Sequence, residues 1–251
     1  MTTSGEMISA SPSNPGTNIP KLDQLHLVVV GATGMVGGYA LHYALNHPAV
    51  ERVTAIGRRT LGISHIKLHE VLHPDFADCS ALAELLSHQD AAIFCLGAYT
   101  GSVPDVELRA ITVDYTIEFA RVLHRGSPSA GFAFLSGQGA DPSGKSRIAF
   151  ARYKGEAESA LLAAGFRATY IFRPAYIFPV KQRKEPNFGY RLLREIYPVF
   201  RTLFPGQVIR ADDLARVMVD VAVQGTKERT ARVFENRDIR AMLEWLKNLA
   251  T

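Results

Sequence analysis

The sequence predicts an α/β protein: a doubly wound parallel sheet with helices on both faces and a small C-terminal region. Three observations predict it. Short, nearly continuous apolar runs alternate with helical patterns between residues 25 and 174, as strands buried on both faces require. A glycine-rich turn, "VVVGATGMVGGYAL", joins the first run to the first helix, the context a dinucleotide-binding turn needs. A chain of 251 residues suffices for one large domain with a sizeable core.

The elements follow in order. "LHLVVV" (25–30) is a strand, followed by the glycine turn and a helix to about Asn46. "RVTAIG" (52–57) and "HEVLH" (69–73) are the second and third strands. A helix over "SALAELLSH" (80–88) precedes the fourth strand, "AAIFCLG" (91–97). A helix around "VDYTIEFARVLH" (113–124) precedes the fifth, "GFAFLSG" (131–137). "IAFARYKGEAESALLAAG" (148–165) is a helix closed by Gly165, and "ATYIFRP" (168–174) is the sixth strand. Beyond Pro174 the pattern loosens. Pro198 divides the apolar stretch 188–206 into two short helices. "ADDLARVMVDVAVQG" (211–225) is helical. In "DIRAMLEWLKNLA" (238–250), Ile239, Met242, Leu243 and Leu246 share the face of a terminal helix.

The first twenty residues are rich in Ser, Thr, Pro, Asn and Gly. They lack the apolar core of a signal peptide and the arginines of a transit peptide, and read as a disordered leader. Residues 21–251 then form one domain, with a small lobe from about residue 175. No apolar run spans a bilayer. The net charge of +4 is mild and suits an anionic ligand. No helix-turn-helix, zinc or aromatic-platform pattern points to nucleic acid. Cys79 and Cys95 lack metal-type spacing, and Cys95, in an apolar run, reads as a buried free thiol, which suggests a reducing, cytoplasmic setting.

The glycines of the turn each have a mechanical reason. Gly31 permits the tight turn, Gly34 lets the backbone approach a pyrophosphate, and Gly37 lets the helix pack on the strand. The helix N-terminus offers N–H groups and a positive dipole to phosphate. The second strand ends in Gly57-Arg58-Arg59-Thr60, where an NAD-preferring site carries an acid. Two guanidiniums can pair with a 2′-phosphate, so NADP(H) is expected over NAD(H). Solvated arginines at a strand end are the competing reading. Asp75 can accept from an adenine amino group with Phe76 as an apolar wall, or Asp75 is an ordinary loop acid. Gly97 lets the backbone pass close to the cofactor.

With these residues in view, the chain resembles the atypical short-chain dehydrogenase/reductases, in particular the Tat-interacting-protein-like group near the NmrA-like regulators. The resemblance runs over nearly everything after residue 25. It rests on "GATGMVGGYAL", "AIGRR", "DFAD", "FCLG", "VDYTIEFAR", "FLSGQGAD", "KGEAESAL", "FRPAYIF" and "FENRDIR". It implies a Rossmann domain with NADP(H) over the C-terminal ends of the strands. Pyrophosphate binding is then carried onto Gly31, Thr33, Gly34 and Gly37, with backbone N–H groups from Met35 and Val36. Arg58 and Arg59 meet the adenosine phosphate and Lys154 the nicotinamide ribose. Arg173 and Pro174 end the strand beside the nicotinamide, with Tyr176 behind.

Active members of such a family place a tyrosine four residues before the lysine, on the same helix face, and a serine after the fifth strand. Here the first position is Phe150, which has no proton to give. Tyr153 adjoins Lys154, about 100° around the helix. Ser136 is present, either as substrate-orienting serine or as a structural one, and is followed by Gly137 and Gln138. The catalytic candidates are therefore Lys154, Ser136 and Tyr153, with Tyr99, Tyr176 or water as substitute donors. Two functions remain open. One is an NADPH-dependent oxidoreductase on a small carbonyl or hydroxyl compound, walled by the apolar region 188–204. The other is a non-catalytic NADP(H)-binding regulator that reports redox state to a protein partner, with a homodimer as a further possibility. Lipid association through "KQRK" (181–184) ranks below both.

Overall fold

The computed structural model describes residues 24–98, 101–180, 205–225 and 230–249. The apolar runs of the first half pair in parallel, as buried strands joined by helices must. Strands β1 (Leu25–Val30), β2 (Val50–Gly57), β3 (Leu68–Leu72), β4 (Ala91–Phe94), β5 (Gly131–Leu135), β6 (Ala168–Arg173) and β9 (Thr230–Glu235) form one sheet in the order β3-β2-β1-β4-β5-β6-β9. Every pairing in it is parallel. β7 (Tyr176–Phe178) and β8 (Val208–Arg210) form a separate parallel pair.

Strand order reverses direction between β1 and β4. The chain leaves β1 for β2 on one side and resumes at β4 on the other, which opens a crevice at their C-terminal ends. Two cores cover the two faces. Helices α1 (Met35–Asn46), α5 (Ala211–Gly225) and α6 (Asn236–Leu249) cover one with Val36, Leu41, Leu214, Met218 and Leu243. On the other, α3 (Tyr115–Gly126) and α4 (Ala149–Ala163) bring Phe119, Leu123, Ala157 and Leu161 onto Phe94, Phe132 and Phe134.

Two expectations are corrected and one sheet strand is added. Residues 80–88 form a 3-10 turn at Ser80–Leu82 followed by further turns, not a regular helix. Leu82 and Leu86 are buried in the core, Leu85 packs against it, and His88 leaves the stretch at φ 59°. The helix expected around 113–124 begins earlier, as α2 (Asp105–Arg109), and passes through a π-helical stretch (Ala110–Asp114) into α3. β9 was not expected. Its "TARVFE" carries two charges, and only its pairing with β6 makes it a strand. The leader and the apolar stretch 188–204 lie outside the described residues, as does the basic run 181–184.

Candidate functional site

The crevice between β1 and β4 has two halves. The glycine turn builds the first. Gly31 adopts φ +84°, and a Cβ there would fall 2.7 Å from the Cys95 carbonyl carbon. A Cβ on Gly37 would fall 2.2 Å from the Gly31 carbonyl oxygen, so α1 starts in direct contact with the turn. Gly34 is the N-cap of α1, with no side-chain cap and no acid in the first turn. The first bond of the helical ladder runs from the Gly38 N–H to the Gly34 carbonyl. The N–H groups of Met35, Val36 and Gly37 therefore precede the intrahelical ladder and stand at the positive end of the dipole.

Beyond the turn, Thr33, Gly57, Arg59, Leu61 and Glu70 line a shallow hollow. Arg58 and Arg59 are exposed. Arg59 donates to the Thr33 hydroxyl at 3.4 Å, and neither guanidinium meets a carboxylate among the described residues. Gly97, at the exit of β4, is exposed with open space where a Cβ would lie. Uncapped N–H groups, two exposed guanidiniums unpaired with acids and open backbone fit an anionic dinucleotide.

Asp75 and Phe76 fit less well. Phe76 is 1% exposed, packed between His73 and Tyr115. It is a core residue rather than the wall of an open site. The Asp75 carboxylate accepts the Ala77 N–H at 2.9 Å, the local turn bond typical of a loop aspartate. The loop-acid reading of Asp75 has the geometry.

The second half surrounds Lys154. Its ammonium is buried, donates to the Leu135 carbonyl at 2.8 Å and lies 4.6 Å from the centre of the Phe134 ring. Burial lowers its pKa to about 8, against the pull of Glu158. Cys95 lies near it at the end of β4, and burial pushes that thiol up to about 12.

The remaining nicotinamide-side candidates are engaged with protein. Ser136 donates to the carboxylate of Glu158, which is 1% exposed. Arg173 donates to Glu158 through Nε at 3.0 Å and Nη2 at 2.5 Å, and to Glu235 through Nη1 at 2.9 Å. These bonds hold the Arg173 guanidinium pKa above its usual value. The Pro174 carbonyl accepts the Gln138 N–H at 2.9 Å, tying the ends of β5 and β6 together. The Ser136 hydroxyl is thus engaged by a buried carboxylate. Arg173 is an internal ion-pair residue, since its donors already face two carboxylates.

Tyr153 turns away from Lys154 and donates to Asp105 of α2 at 2.7 Å, which raises its pKa. A tyrosine so held is a poorer acid, the opposite of what a proton donor needs. The Phe150 ring packs on Gly137, where a Cβ would fall 2.9 Å from the ring tip. The position four residues before Lys154 thus carries no hydroxyl, and its ring closes on Gly137. Tyr99 lies outside the described residues.

Sequence reasoning missed Glu158, Glu235, Asp105 and Glu70. Glu158 carried a signal. It stands four residues after Lys154 on the buried face between Ala157 and Leu161, where an unpaired carboxylate would be costly. Among the described residues no cluster of His, Cys, Asp and Glu can hold a metal, and no helix is long and apolar enough to cross a membrane.

Comparison with known proteins agrees with this architecture. Residues 27–137 match the NAD dependent epimerase/dehydratase family. The protein fmp52, mitochondrial, of Emericella nidulans is 30% identical over 167 residues, covering 64% of this chain and 70% of the relative. HTATIP2 of Rattus norvegicus is 26% identical over 169 residues, covering 66% and 69%. The Bordetella bronchiseptica enzyme WbmG, solved in complex with NAD, superposes with a TM-score of 0.64 at 14% identity, covering 92% of this chain and 80% of that one. The cytoplasmic expectation is corrected by the Emericella nidulans relative, which is named mitochondrial. Two unpaired cysteines do not identify a compartment. Sequence, fold and crevice agree: the chain belongs to the atypical short-chain dehydrogenase/reductases.

Proposed function

We propose that this protein binds NADP(H) and works as a cofactor-binding regulator on a reductase frame, not as an efficient carbonyl reductase. Arg58, Arg59 and Thr33 would hold the adenosine 2′-phosphate. The N–H groups of Met35, Val36 and Gly37 would hold the pyrophosphate. Lys154 would hold the nicotinamide ribose, and Gly97 would leave room for the cofactor. A bound NADPH supplies a hydride. The chain's own residues bind and orient it through two guanidiniums, a helix N-terminus and a buried ammonium.

The observation that carries the reading is the Phe150 ring packed on Gly137. A positioned proton donor is worth roughly two to four orders of magnitude in rate, and Ser136 and Tyr153 are committed to Glu158 and Asp105. One observation favours a reductase instead. The Lys154 ammonium, lowered to about 8 by burial, can release a proton near neutral pH. Mitochondria are the proposed location, following the name of the Emericella nidulans relative; fractionation of cells expressing the full chain tests it.

The central test is titration of NADPH and NADH, followed by a carbonyl panel assayed with wild type and Phe150→Tyr. The reading expects NADPH to bind and Phe150→Tyr to exceed the wild type by about a hundredfold. Wild-type turnover equal to that of Phe150→Tyr, with a pH limb near 8, supports the lysine-driven reductase. Failure of both cofactors to bind sinks either reading.

A further inference from the structure

The bridge that carries Arg58 and Arg59 is short and held at both ends. At one end, the Gly57 carbonyl accepts the His73 N–H at 2.9 Å, the last bond between β2 and β3. At the other, the Leu61 N–H donates to Glu70 Oε1 at 2.6 Å. Arg58, Arg59 and Thr60 lie between these anchors and are exposed. Leu61 also packs its side chain against the core.

Glu70 is out of place on electrostatic grounds. It sits on β3 opposite Ala55 and lines the hollow that holds Thr33 and Arg59. A carboxylate there disfavours a phosphate dianion. Its bond to Leu61 accounts for it. The chain leaves the sheet after Gly57, so the Leu61 N–H has no strand partner, and a half-buried amide left unpaired is costly. The side chain of Glu70 supplies the acceptor that the sheet does not.

We infer that Glu70 is a positioning residue for cofactor discrimination, anchoring the Arg58–Thr60 bridge so that both guanidiniums are held ready for a 2′-phosphate. This rests on the NADP(H) reading above. Holding a recognition loop in its bound shape removes the ordering cost from the binding step. Glu70 acts through the Leu61 amide and not by touching the ligand.

The test compares wild type, Glu70→Gln and Glu70→Leu. It measures dissociation constants for NADPH and NADH, with hydrogen exchange of the Leu61 amide as a second readout. Glutamine keeps an acceptor oxygen and removes the charge, so Glu70→Gln should retain Leu61 protection and retain or raise the NADPH preference. Glu70→Leu should lose the protection and about tenfold of the preference, with NADH affinity within about twofold of wild type. A Glu70→Leu protein that keeps the preference, or loses both affinities in proportion, overturns the positioning role alone. A loss of NADH affinity in both variants assigns the carboxylate to the ribose hydroxyls and also overturns it. A wild type without preference for NADPH overturns the NADP(H) reading, and the role of Glu70 with it.

Discussion

The two halves of the crevice are built by different means. In the glycine-turn half, function-bearing groups point outward and have little to do inside the protein: the first N–H groups of α1, Arg58, Arg59 and the open edge at Gly97. In the lysine half nearly every polar group is taken up internally. Ser136, Glu158, Arg173 and Glu235 form one network, Tyr153 belongs to Asp105, and Phe150 closes on Gly137. The difference teaches that one crevice can leave the polar groups of one half exposed while the polar groups of the other half bond to one another. A residue type at a family position identifies a role only when its donors are free to perform it.

The largest test of this contrast is Glu158→Ala. It leaves Ser136 without its acceptor and deprives Arg173 of its buried carboxylate. Breaking a buried pair from one side should cost about 4 kcal/mol, read by urea unfolding. A loss under about 1 kcal/mol would make the network no more than a surface ion pair and remove the contrast.

Next comes Gly37→Ala in the opposite half. The methyl would meet the Gly31 carbonyl oxygen, a backbone atom that cannot swing aside. About 3 kcal/mol of stability should be lost, and dinucleotide affinity should fall with it as α1 moves off the turn. Unchanged affinity at reduced stability would detach the turn from the binding site.

A smaller effect is expected from Arg58→Ala/Arg59→Ala. Both side chains are exposed and unpaired with acids, so stability should hold. NADPH affinity should fall by about 2 kcal/mol, near thirtyfold, and NADH affinity should stay. Isothermal titration at two salt concentrations checks it, since phosphate pairing at an exposed site weakens with ionic strength.

The smallest effect concerns Lys154 and pH. Its pKa is lowered from the model-peptide value of 10.5 to about 8 in the folded protein. Between these values the unfolded chain binds more protons than the folded one, so this lysine's contribution makes stability rise with pH. From pH 8 to 9 the rise should be about 1 kcal/mol. Cys79 and Cys95, both raised to about 12 from 9.0, act oppositely above pH 9, because the unfolded thiols ionise first. Subtracting the profile of Lys154→Met isolates the lysine. A difference flat in pH would mean that its ammonium is hydrated in the folded state.

Legibility in the sequence followed the range of the interactions. β1, the glycine turn, α1 and the first four sheet strands were readable because apolar runs and glycine spacing are local. Residues 80–88 were misread because Leu82 and Leu86 satisfy a helical period that one short turn also satisfies. Phe76 lies in the core, and an aromatic beside a loop acid carries no mark in the sequence of which way it faces. Glu70 was invisible because its partner, the Leu61 amide, becomes an orphan only when the chain leaves the sheet.

By itself, the sequence determined the strand–helix alternation, the glycine turn, the basic pair after β2 and the absence of a tyrosine four residues before Lys154. All are set by residue type and by spacings within a few turns of chain. Only the tertiary structure decided that Ser136 and Arg173 serve Glu158, that Tyr153 serves Asp105, that Phe150 fills the space left by Gly137, and that β9 joins the sheet. Those outcomes depend on partners 13 to 62 residues away, as in Phe150–Gly137 and Arg173–Glu235. A donor commits to whichever acceptor folding brings within reach, and spacing along the chain does not encode that.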